Sequence, residues 1–227
     1  ITGEVDNTLS LSLEDIKNIP SITQMATLEC YFEVGEDAFE KNAKDSAAAH
    51  LEKTSVPVKS SNNRAGGLLV SNANWTGVHL NHIFAQAGLR ESAESVIFSA
   101  IDGYQISILL DQLTARDDIL LAYEMNGQAL SMIQGYPLKL VLPGVAGYQN
   151  VRWLEKITLS NSAFAGSLVH YDVHARILQP IRLTTNIVGP QTISGMAYVG
   201  LAKEIEKVDI SIDYGDTWLP TEILSYY

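Results

Sequence analysis

The sequence predicts an α+β fold, in which a mixed domain of helices and strands is followed by a short β-sandwich segment. Residues 75–88 carry apolar side chains at helical spacing and end at a glycine, as amphipathic helices often do. Apolar strands separated by short turns occupy most of residues 95–160. After Pro180 only short alternating strands with glycine turns follow, which is typical of a sandwich.

The chain length fits either one large domain or one domain with a smaller one. We predict a first domain over residues 1–179 and a second over residues 180–227, with the boundary near 176–182. The second segment is about half as long as a usual sandwich of roughly 100 residues. It is therefore either truncated or completed by another chain.

The early elements each have a local signal. Ser12 is a candidate N-cap of a helix that carries Asp15 in its first turn and stops at Pro20. The run "ITQMATLECYFEV" indicates a strand with Cys30 near its C-terminal end. The polar residues 35–67 resemble an inserted loop with a short helix around 37–52.

Turn signals separate the later strands. Asp102-Gly103 stands between two apolar runs, and Asn126-Gly127 indicates a tight hairpin turn. The runs "PLKLVLP" (137–143) and "VRWLEKITLSN" (151–161) predict two further strands. Trp75 and Trp153 are interpreted as core residues.

The charge distribution argues against a nucleic acid partner. The net charge is −11, and no basic stripe is present to neutralise phosphates. The acidity is uneven, because residues 29–45 are strongly acidic whereas residues 136–156 carry three cations and one carboxylate. A basic pocket in an acidic protein predicts a small anionic ligand.

The stretch "YPLKLVLPGVAGYQNVRWL" has the residue types of an anion site. Lys139 and Arg152 flank a turn that contains Gly144 and Gly147. Glycine lets backbone amides approach an oxyanion, arginine holds a phosphate through two nitrogens, and lysine acts as a point charge. By themselves these residues also fit an ordinary solvated strand end.

Cysteine and histidine usage narrows the metal chemistry. Cys30 is the single cysteine, which excludes an intramolecular disulfide and a cysteine-rich zinc site, and such a residue is usually a buried small hydrophobe. His79 and His82 are interpreted as residues on a helix surface, with a zinc site as the alternative. No window approaches about 18 uninterrupted apolar residues, so we predict no transmembrane helix.

Seven stretches occur in an order that is more specific than any one of them. They are "ATLEC" (26–30), "ANWTGVHL" (73–80), "IDGY" (101–104), "LLAYEMNGQAL" (120–130), "GYPLKLVLPGVAGYQNVRWLEKI" (135–157), "ISGMAYVG" (193–200) and "IEKVDISIDYGDTW" (205–218). Together the stretches resemble the sulfite oxidase family of molybdenum-cofactor enzymes over nearly the whole chain. The resemblance implies a molybdopterin-binding oxidoreductase domain, followed by part of an immunoglobulin-like dimerisation domain.

The resemblance assigns cofactor-binding roles. It implies that the turn with Gly144 and Gly147 packs against a molybdenum-molybdopterin cofactor. Lys139 and Arg152 would then bind the cofactor phosphate. Gln134 stands where relatives often carry a pterin-contacting histidine, and its amide can still accept and donate hydrogen bonds.

The resemblance also assigns catalytic roles. Cys30 matches the molybdenum-ligating cysteine, and a thiolate suits a high-valent molybdenum centre. Asp102 matches an aspartate near the metal site, although a turn-forming aspartate explains it equally well. Tyr171 falls near the position of the family's active-site tyrosine, and a partly buried linker tyrosine is the alternative.

The implied reaction is a two-electron oxygen-atom transfer that cycles molybdenum between Mo(VI) and Mo(IV). In sulfite oxidases the ligand cysteine is followed by G-N-R-R, whereas Cys30 is followed by Tyr31, Phe32, Glu33 and Val34. An anionic substrate such as sulfite would meet repulsion there, unless Lys59 and Arg64 compensate. The substrate therefore stays open, and the alternatives are a sulfoxide-type reductase and a cofactor-free binding module.

The expected partners follow from the same resemblance. They are a small-molecule substrate, and a separate haem or quinone-linked electron-transfer protein, because the chain has no C-x-x-C-H haem motif. A homodimer, or another chain that completes the sandwich, is also expected. Because many relatives are exported after cofactor loading, we expect a periplasmic or other extracytoplasmic location, with a cytoplasmic location as the alternative.

Overall fold

The computed structural model describes residues 1–30, 69–170, 173–179, 189–200 and 205–224. The helices in this part of the chain are α1 (Leu13–Lys17), α2 (Leu80–Ala87) and α3 (Leu110–Thr114), with a short 3-10 helix at Gly147–Gln149. The strands are β1 (Thr2–Gly3), β2 (Ile22–Cys30), β3 (Leu69–His79), β4 (Ser95–Ala100), β5 (Gln105–Leu109), β6 (Leu120–Met125), β7 (Gln128–Ala129), β8 (Lys139–Val141), β9 (Leu154–Ser160), β10 (His174–Gln179), β11 (Ser194–Tyr198), β12 (Asp209–Ile210) and β13 (Leu219–Pro220). The described structure is thus mostly β-sheet with few helices, which confirms the α+β prediction only in part.

Two sheets form the larger part of the fold. One sheet has the order β1-β9-β4-β5, and the other has the order β2-β3-β6-β7 with β8 also paired to β6. In the second sheet β2 and β3 pair antiparallel along their length, from Ile22 opposite Gly77 to Cys30 opposite Leu69. This register places the cysteine at the far end of a long strand pair.

The main hydrophobic core includes one face of α2 and the inner faces of β4 and β9. Leu80, Ile83, Phe84 and Ala87 of α2 are buried, as their helical spacing predicts. The predicted helical segment began at residue 75, which is wrong, because residues 75–79 belong to β3. The helix ends at Gly88, whose positive φ of 68° fits the predicted C-cap.

Local signals explain several boundaries. Ser12 caps α1 through a capping box with Asp15, in which each side chain accepts a hydrogen bond from the backbone N–H of the other residue. The hairpin turns at Asp102-Gly103 and Asn126-Gly127 lie where they were predicted, and Asn126 and Gly127 both have positive φ.

The histidine pair differs from its prediction. His79 is the last residue of β3 and the N-cap of α2, whereas His82 lies exposed on the helix. Their rings meet edge to face at 5.6 Å. Within the described ranges, no three His, Cys, Asp or Glu side chains are grouped so that they could hold a metal ion.

The C-terminal part contains two strand pairs, β10 with β11 and β12 with β13. The two strands of the first pair lie on either side of residues 180–188 in the sequence. The domain boundary near 176–182 stays a prediction. The predicted insertion at 35–67, with its helix around 37–52, lies outside the described residues. None of the helices in the described part combines the length and the apolar character that crossing a bilayer requires.

Candidate cofactor site

Lys139 is a buried cation at the start of β8. Only 8% of the residue is exposed, and its ammonium nitrogen lies over the Trp75 ring, 4.7 Å from the ring centroid. Burial, and then the positive charge of Arg152, lower the pKa of Lys139 to about 8. In the described part of the chain, no carboxylate forms an ion pair with this lysine.

Trp75 forms the apolar wall beneath this charge. The residue is 3% exposed and packs with Ala26, Ala122 and Val141 in a small core cluster, as predicted. Its indole N–H is buried and has no acceptor among the described groups. A buried ammonium and a buried indole N–H are costly unless an acceptor completes the site, so both favour an anionic ligand.

Arg152 brings a second cation beside Lys139. The backbone N–H of Leu140 donates to the carbonyl of Val151 at 2.8 Å, so the two strand segments that carry the cations lie side by side. Arg152 is exposed, and its guanidinium donates to the Ile133 carbonyl at 2.9 Å. The guanidinium also lies 4.5 Å from the centroid of the Trp153 ring.

The loop before β8 closely contacts Arg152. Gly135 has a φ of 112°, and a Cβ atom added there would lie 3.0 Å from Cβ of Arg152. Trp153 is only half-buried, has a φ of 52°, and donates its indole N–H to the Met132 carbonyl at 2.7 Å. The prediction of Trp153 as a core residue is therefore wrong, because the ring lies under Arg152 at the surface.

The turn at Pro143-Gly144 is tied to the protein by Arg116. The guanidinium binds both carboxylate oxygens of Asp118 at 2.8 and 2.7 Å, and donates to the Pro143 carbonyl at 2.7 Å. Gly144 has a φ of 71°, which a residue with a side chain rarely adopts. Burial, and then the nearby Arg116 charge, lower the pKa of His170, which pairs with the turn at Val145.

Two buried amides hold the remainder of the turn, and the sequence prediction missed both. The Asn150 side-chain oxygen accepts from the backbone N–H of Leu142 at 2.7 Å. The Gln149 side chain accepts from the N–H of Val169 at 2.7 Å and donates to the Ser167 carbonyl at 2.9 Å. Their signal was two consecutive amides between apolar segments, where buried polar groups need fixed partners.

Asp102 lies in the turn between β4 and β5. Its carboxylate accepts from the backbone N–H of Tyr104 at 3.0 Å, as in an Asx turn. The same turn approaches the candidate site, because the Ile101 N–H donates to the Trp153 carbonyl and the Tyr104 hydroxyl donates to the Tyr148 carbonyl. The structure thus brings this turn beside Trp153 and the 3-10 helix that begins at Gly147.

Gln134 lies in the loop that precedes β8. Its side-chain oxygen accepts from the Ser131 N–H at 2.8 Å, and its amide nitrogen lies 3.5 Å from the Met125 sulfur. The contact of Gln134 with a pterin stays a prediction. Cys30 ends β2, but its side chain lies outside the described set, as do Tyr171, Lys59 and Arg64.

Family comparisons decide the class of protein. The model of the oxidoreductase molybdopterin binding domain matches residues 1–168, and that of the Mo-co oxidoreductase dimerisation domain matches residues 167–226. The chain belongs to the sulfite oxidase family. This confirms the predicted class, a molybdopterin-dependent oxidoreductase, and the molybdenum-molybdopterin cofactor that it implies.

Individual relatives agree with this membership. The mitochondrial sulfite oxidase of Rattus norvegicus is 30% identical over 249 residues, which are 95% of this chain and 43% of that protein. Sulfite oxidase of Arabidopsis thaliana is 28% identical over 96% of this chain and 62% of that protein. The chain therefore spans less than two thirds of the length of either relative.

A solved structure shows the same fold. The sulfane dehydrogenase SoxCD from Paracoccus pantotrophus superposes with a TM-score of 0.74 at 24% identity, covering 99% of this chain and 58% of that chain. This likeness concerns the fold alone.

The residues of the candidate site fit the implied cofactor. A pterin phosphate needs cations and hydrogen-bond donors, and the site offers buried Lys139, exposed Arg152 and a turn fixed by Arg116. The chain has a net charge of −11, yet Arg152 lies close enough to Lys139 to lower the pKa of the lysine, so this site concentrates positive charge in an acidic protein.

Proposed function

We propose that this protein is a molybdenum-cofactor-dependent oxidoreductase that catalyses two-electron oxygen-atom transfer, with Cys30 as the protein ligand of the metal. One observation carries the proposal. Lys139 is buried and shows no anionic partner among the described residues, yet it lies beside Arg152. Burying such a lysine destabilises the folded protein when no anion is bound, and a bound phosphate offsets that cost.

The protein side of the mechanism is binding and orientation. Lys139 would neutralise the phosphate as a point charge. Arg152 would bind the phosphate from the solvent-exposed side through two nitrogens of its planar guanidinium. Trp75 forms an apolar wall that excludes water beneath Lys139, which strengthens the charge interaction. Arg116 fixes the carbonyl of Pro143, so the turn offers its backbone groups in one arrangement.

The bound cofactor supplies the redox chemistry, which is the exchange of one oxygen atom and two electrons with the substrate. In the oxidising direction water supplies the oxygen atom, and two protons and two electrons leave with the reaction. The electrons would pass to a separate haem or quinone-linked protein. The reducing direction reverses this balance and releases water.

Cys30 is the natural candidate for the metal ligand because of its place in the fold. It is the last residue of β2, and its neighbour Glu29 is bridged in parallel to Ala146 within the turn between Pro143 and Gln149. The cysteine backbone therefore lies close to the segment that we assign to cofactor binding. Its thiolate would complete a sulfur-rich coordination sphere.

The substrate class is a small oxo-acceptor or oxo-donor centred on sulfur, either sulfite or a sulfoxide. The acidic residues that follow Cys30 in the sequence disfavour a dianion and so favour the neutral sulfoxide. Dimer formation through the C-terminal region and an extracytoplasmic location are proposed with the activity. Size measurements at several protein concentrations and fractionation of native cells test these two points.

The first experiment is metal and pterin analysis of protein made in a host that synthesises the cofactor. The expected result is about one molybdenum and one pterin per chain. A folded protein with neither would overturn the proposal. Protein that contains the cofactor is then assayed in two ways, with sulfite and an electron acceptor, and with a sulfoxide and a reduced dye. Activity in the first assay indicates oxidation of sulfite, and activity in the second indicates reduction of a sulfoxide.

A further inference from the structure

A buried glutamate directly precedes the proposed metal ligand in the sequence. Glu29 is 1% exposed and occupies the penultimate position of β2, immediately before Cys30. Its backbone forms a parallel bridge with Ala146, in the turn of the candidate cofactor site. A buried carboxylate is costly unless hydrogen bonds hold it, so its partners define how this strand end is fixed.

One of those partners comes from the C-terminal region. The hydroxyl of Tyr198 donates to a carboxylate oxygen of Glu29 at 2.8 Å, across 169 positions of sequence. Tyr198 is the last residue of β11 and falls in the segment that the dimerisation domain model matches. This hydrogen bond therefore joins the dimerisation region to the strand that carries the cysteine.

The tyrosine is itself held in place by a neighbouring strand. Its ring stacks on His174 with 5.3 Å between centroids and 6° between planes. The two residues are also register partners in the β10–β11 pair. The hydroxyl thus projects from a paired strand rather than from a freely moving side chain, and a hydrogen bond to a carboxylate is short and strong when its donor is pre-positioned.

We propose that Tyr198 is a positioning residue, which holds the end of β2 through Glu29 and so fixes the place of Cys30 at the metal centre. The inference rests on the proposed function for the role of Cys30, and extends it by making the dimerisation region part of the metal site's support. Residues that orient a metal ligand tune affinity and reactivity even though they never touch the metal.

The test uses Tyr198→Phe, which removes the hydroxyl and keeps the ring that stacks on His174. The matched control is Thr221→Val, which removes a hydroxyl bonded to the Val208 carbonyl in the same region. Because Cys30 is the only cysteine, the rate of thiol alkylation in the metal-free full chain reports on this strand end alone. Circular dichroism before each assay confirms that both variants are folded.

We expect Tyr198→Phe to raise the alkylation rate about tenfold over wild type, because the loss of one hydrogen bond to a charged group changes an equilibrium constant by about that factor. Thr221→Val should leave the rate unchanged. In the metal-loaded protein, Tyr198→Phe should also alter the electron paramagnetic resonance spectrum of the half-reduced metal. Equal alkylation rates in Tyr198→Phe and Thr221→Val, including no reaction in either, overturn the proposal.

A second pair of variants decides the question if Tyr198→Phe does not fold. Glu29→Gln keeps an acceptor for the hydroxyl and should stay within about threefold of the wild-type alkylation rate, whereas Glu29→Leu should match the tenfold rise. Glu29→Gln and Glu29→Leu reacting alike would contradict the link. Because these rates are measured without metal, they stand even if the wild-type chain proves to bind no molybdenum.

Discussion

The ammonium nitrogen of Lys139 lies 4.7 Å from the centroid of the Trp75 ring, and Arg152 is close enough to lower the pKa of the lysine. An aromatic face offsets part of the cost of a buried cation, but less than a carboxylate would. Trp75 therefore leaves the positive charge of Lys139 free to bind an anion. Five predictions follow from this and from the neighbouring contacts.

Lys139→Met should have opposite effects on ligand binding and on stability. Loss of the charge should weaken retention of the pterin cofactor at least about tenfold, as for a hydrogen bond to a charged group. The cofactor-free chain should become more stable by about 1 kcal/mol, because a buried cation is replaced by an apolar side chain of similar length. Pterin content after dialysis and urea unfolding measure the two effects.

The control is Lys156→Met, which removes the same charge from an exposed position on β9. It should change neither pterin retention nor the free energy of unfolding by a measurable amount. If Lys139→Met destabilises the empty chain and retains its pterin, the lysine is structural and the phosphate assignment is wrong.

Phosphate binding should weaken as the pH rises through about 8, the pKa of Lys139 in the folded chain. The bound anion needs the protonated amine, so the affinity should fall by up to about tenfold per pH unit above that value. In the unfolded chain the pKa of this lysine has the ordinary value of 10.5. Between pH 8 and 10.5 the unfolded chain therefore binds more protons than the folded chain, so the cofactor-free chain becomes more stable as the pH rises through this range.

Calorimetric titration with a pterin phosphate between pH 7 and 10 checks this dependence. In Lys139→Met the affinity should be lower and nearly constant over the same range. A wild-type affinity that does not change between pH 8 and 10 would show that Lys139 does not contact the anion.

Cys30→Ser should abolish oxygen-atom transfer, since an alkoxide is a poor substitute for a thiolate at a sulfur-rich molybdenum centre. The protein should stay folded, with an unchanged circular dichroism spectrum. Turnover and molybdenum content are measured against wild type prepared in parallel. A variant with wild-type turnover would remove the ligand assignment.

Arg116→Met should destabilise the chain by about 2 kcal/mol, because it breaks a two-oxygen contact with Asp118 and a bond to the Pro143 carbonyl. It should also lower pterin retention, since the turn loses its anchor. Arg90→Met is the control. Its ion pair with Asp6 is exposed at 3.2 Å, so no measurable change in unfolding is expected.

Gly135→Ala should displace Arg152, because the new Cβ would lie 3.0 Å from Cβ of the arginine at a φ of 112°. We expect a loss of about 3 kcal/mol from backbone strain and crowding together. Gly127→Ala is the matched control, with a φ of 74° and no atom within 4 Å of the added carbon, and should cost only about 1 kcal/mol. Equal costs would mean that Gly135 and Arg152 are not in close contact.

Much of the local structure could be predicted because its causes are local. The capping box between Ser12 and Asp15 needs only residues three apart, and the Asn126-Gly127 turn needs only positive φ at adjacent positions. The buried stripe of α2 follows from helical spacing. The family could also be predicted, because its motifs are contiguous and keep their order along the chain.

The sequence by itself therefore determined the family, the implied cofactor and the cation pair beside the glycine turn. Only the tertiary structure decided that Lys139 is buried on Trp75, that Arg116 anchors Pro143, and that Tyr198 reaches Glu29 across 169 positions. Burial and long-range hydrogen bonds depend on which surfaces the sheets bring together, and no local pattern records that choice.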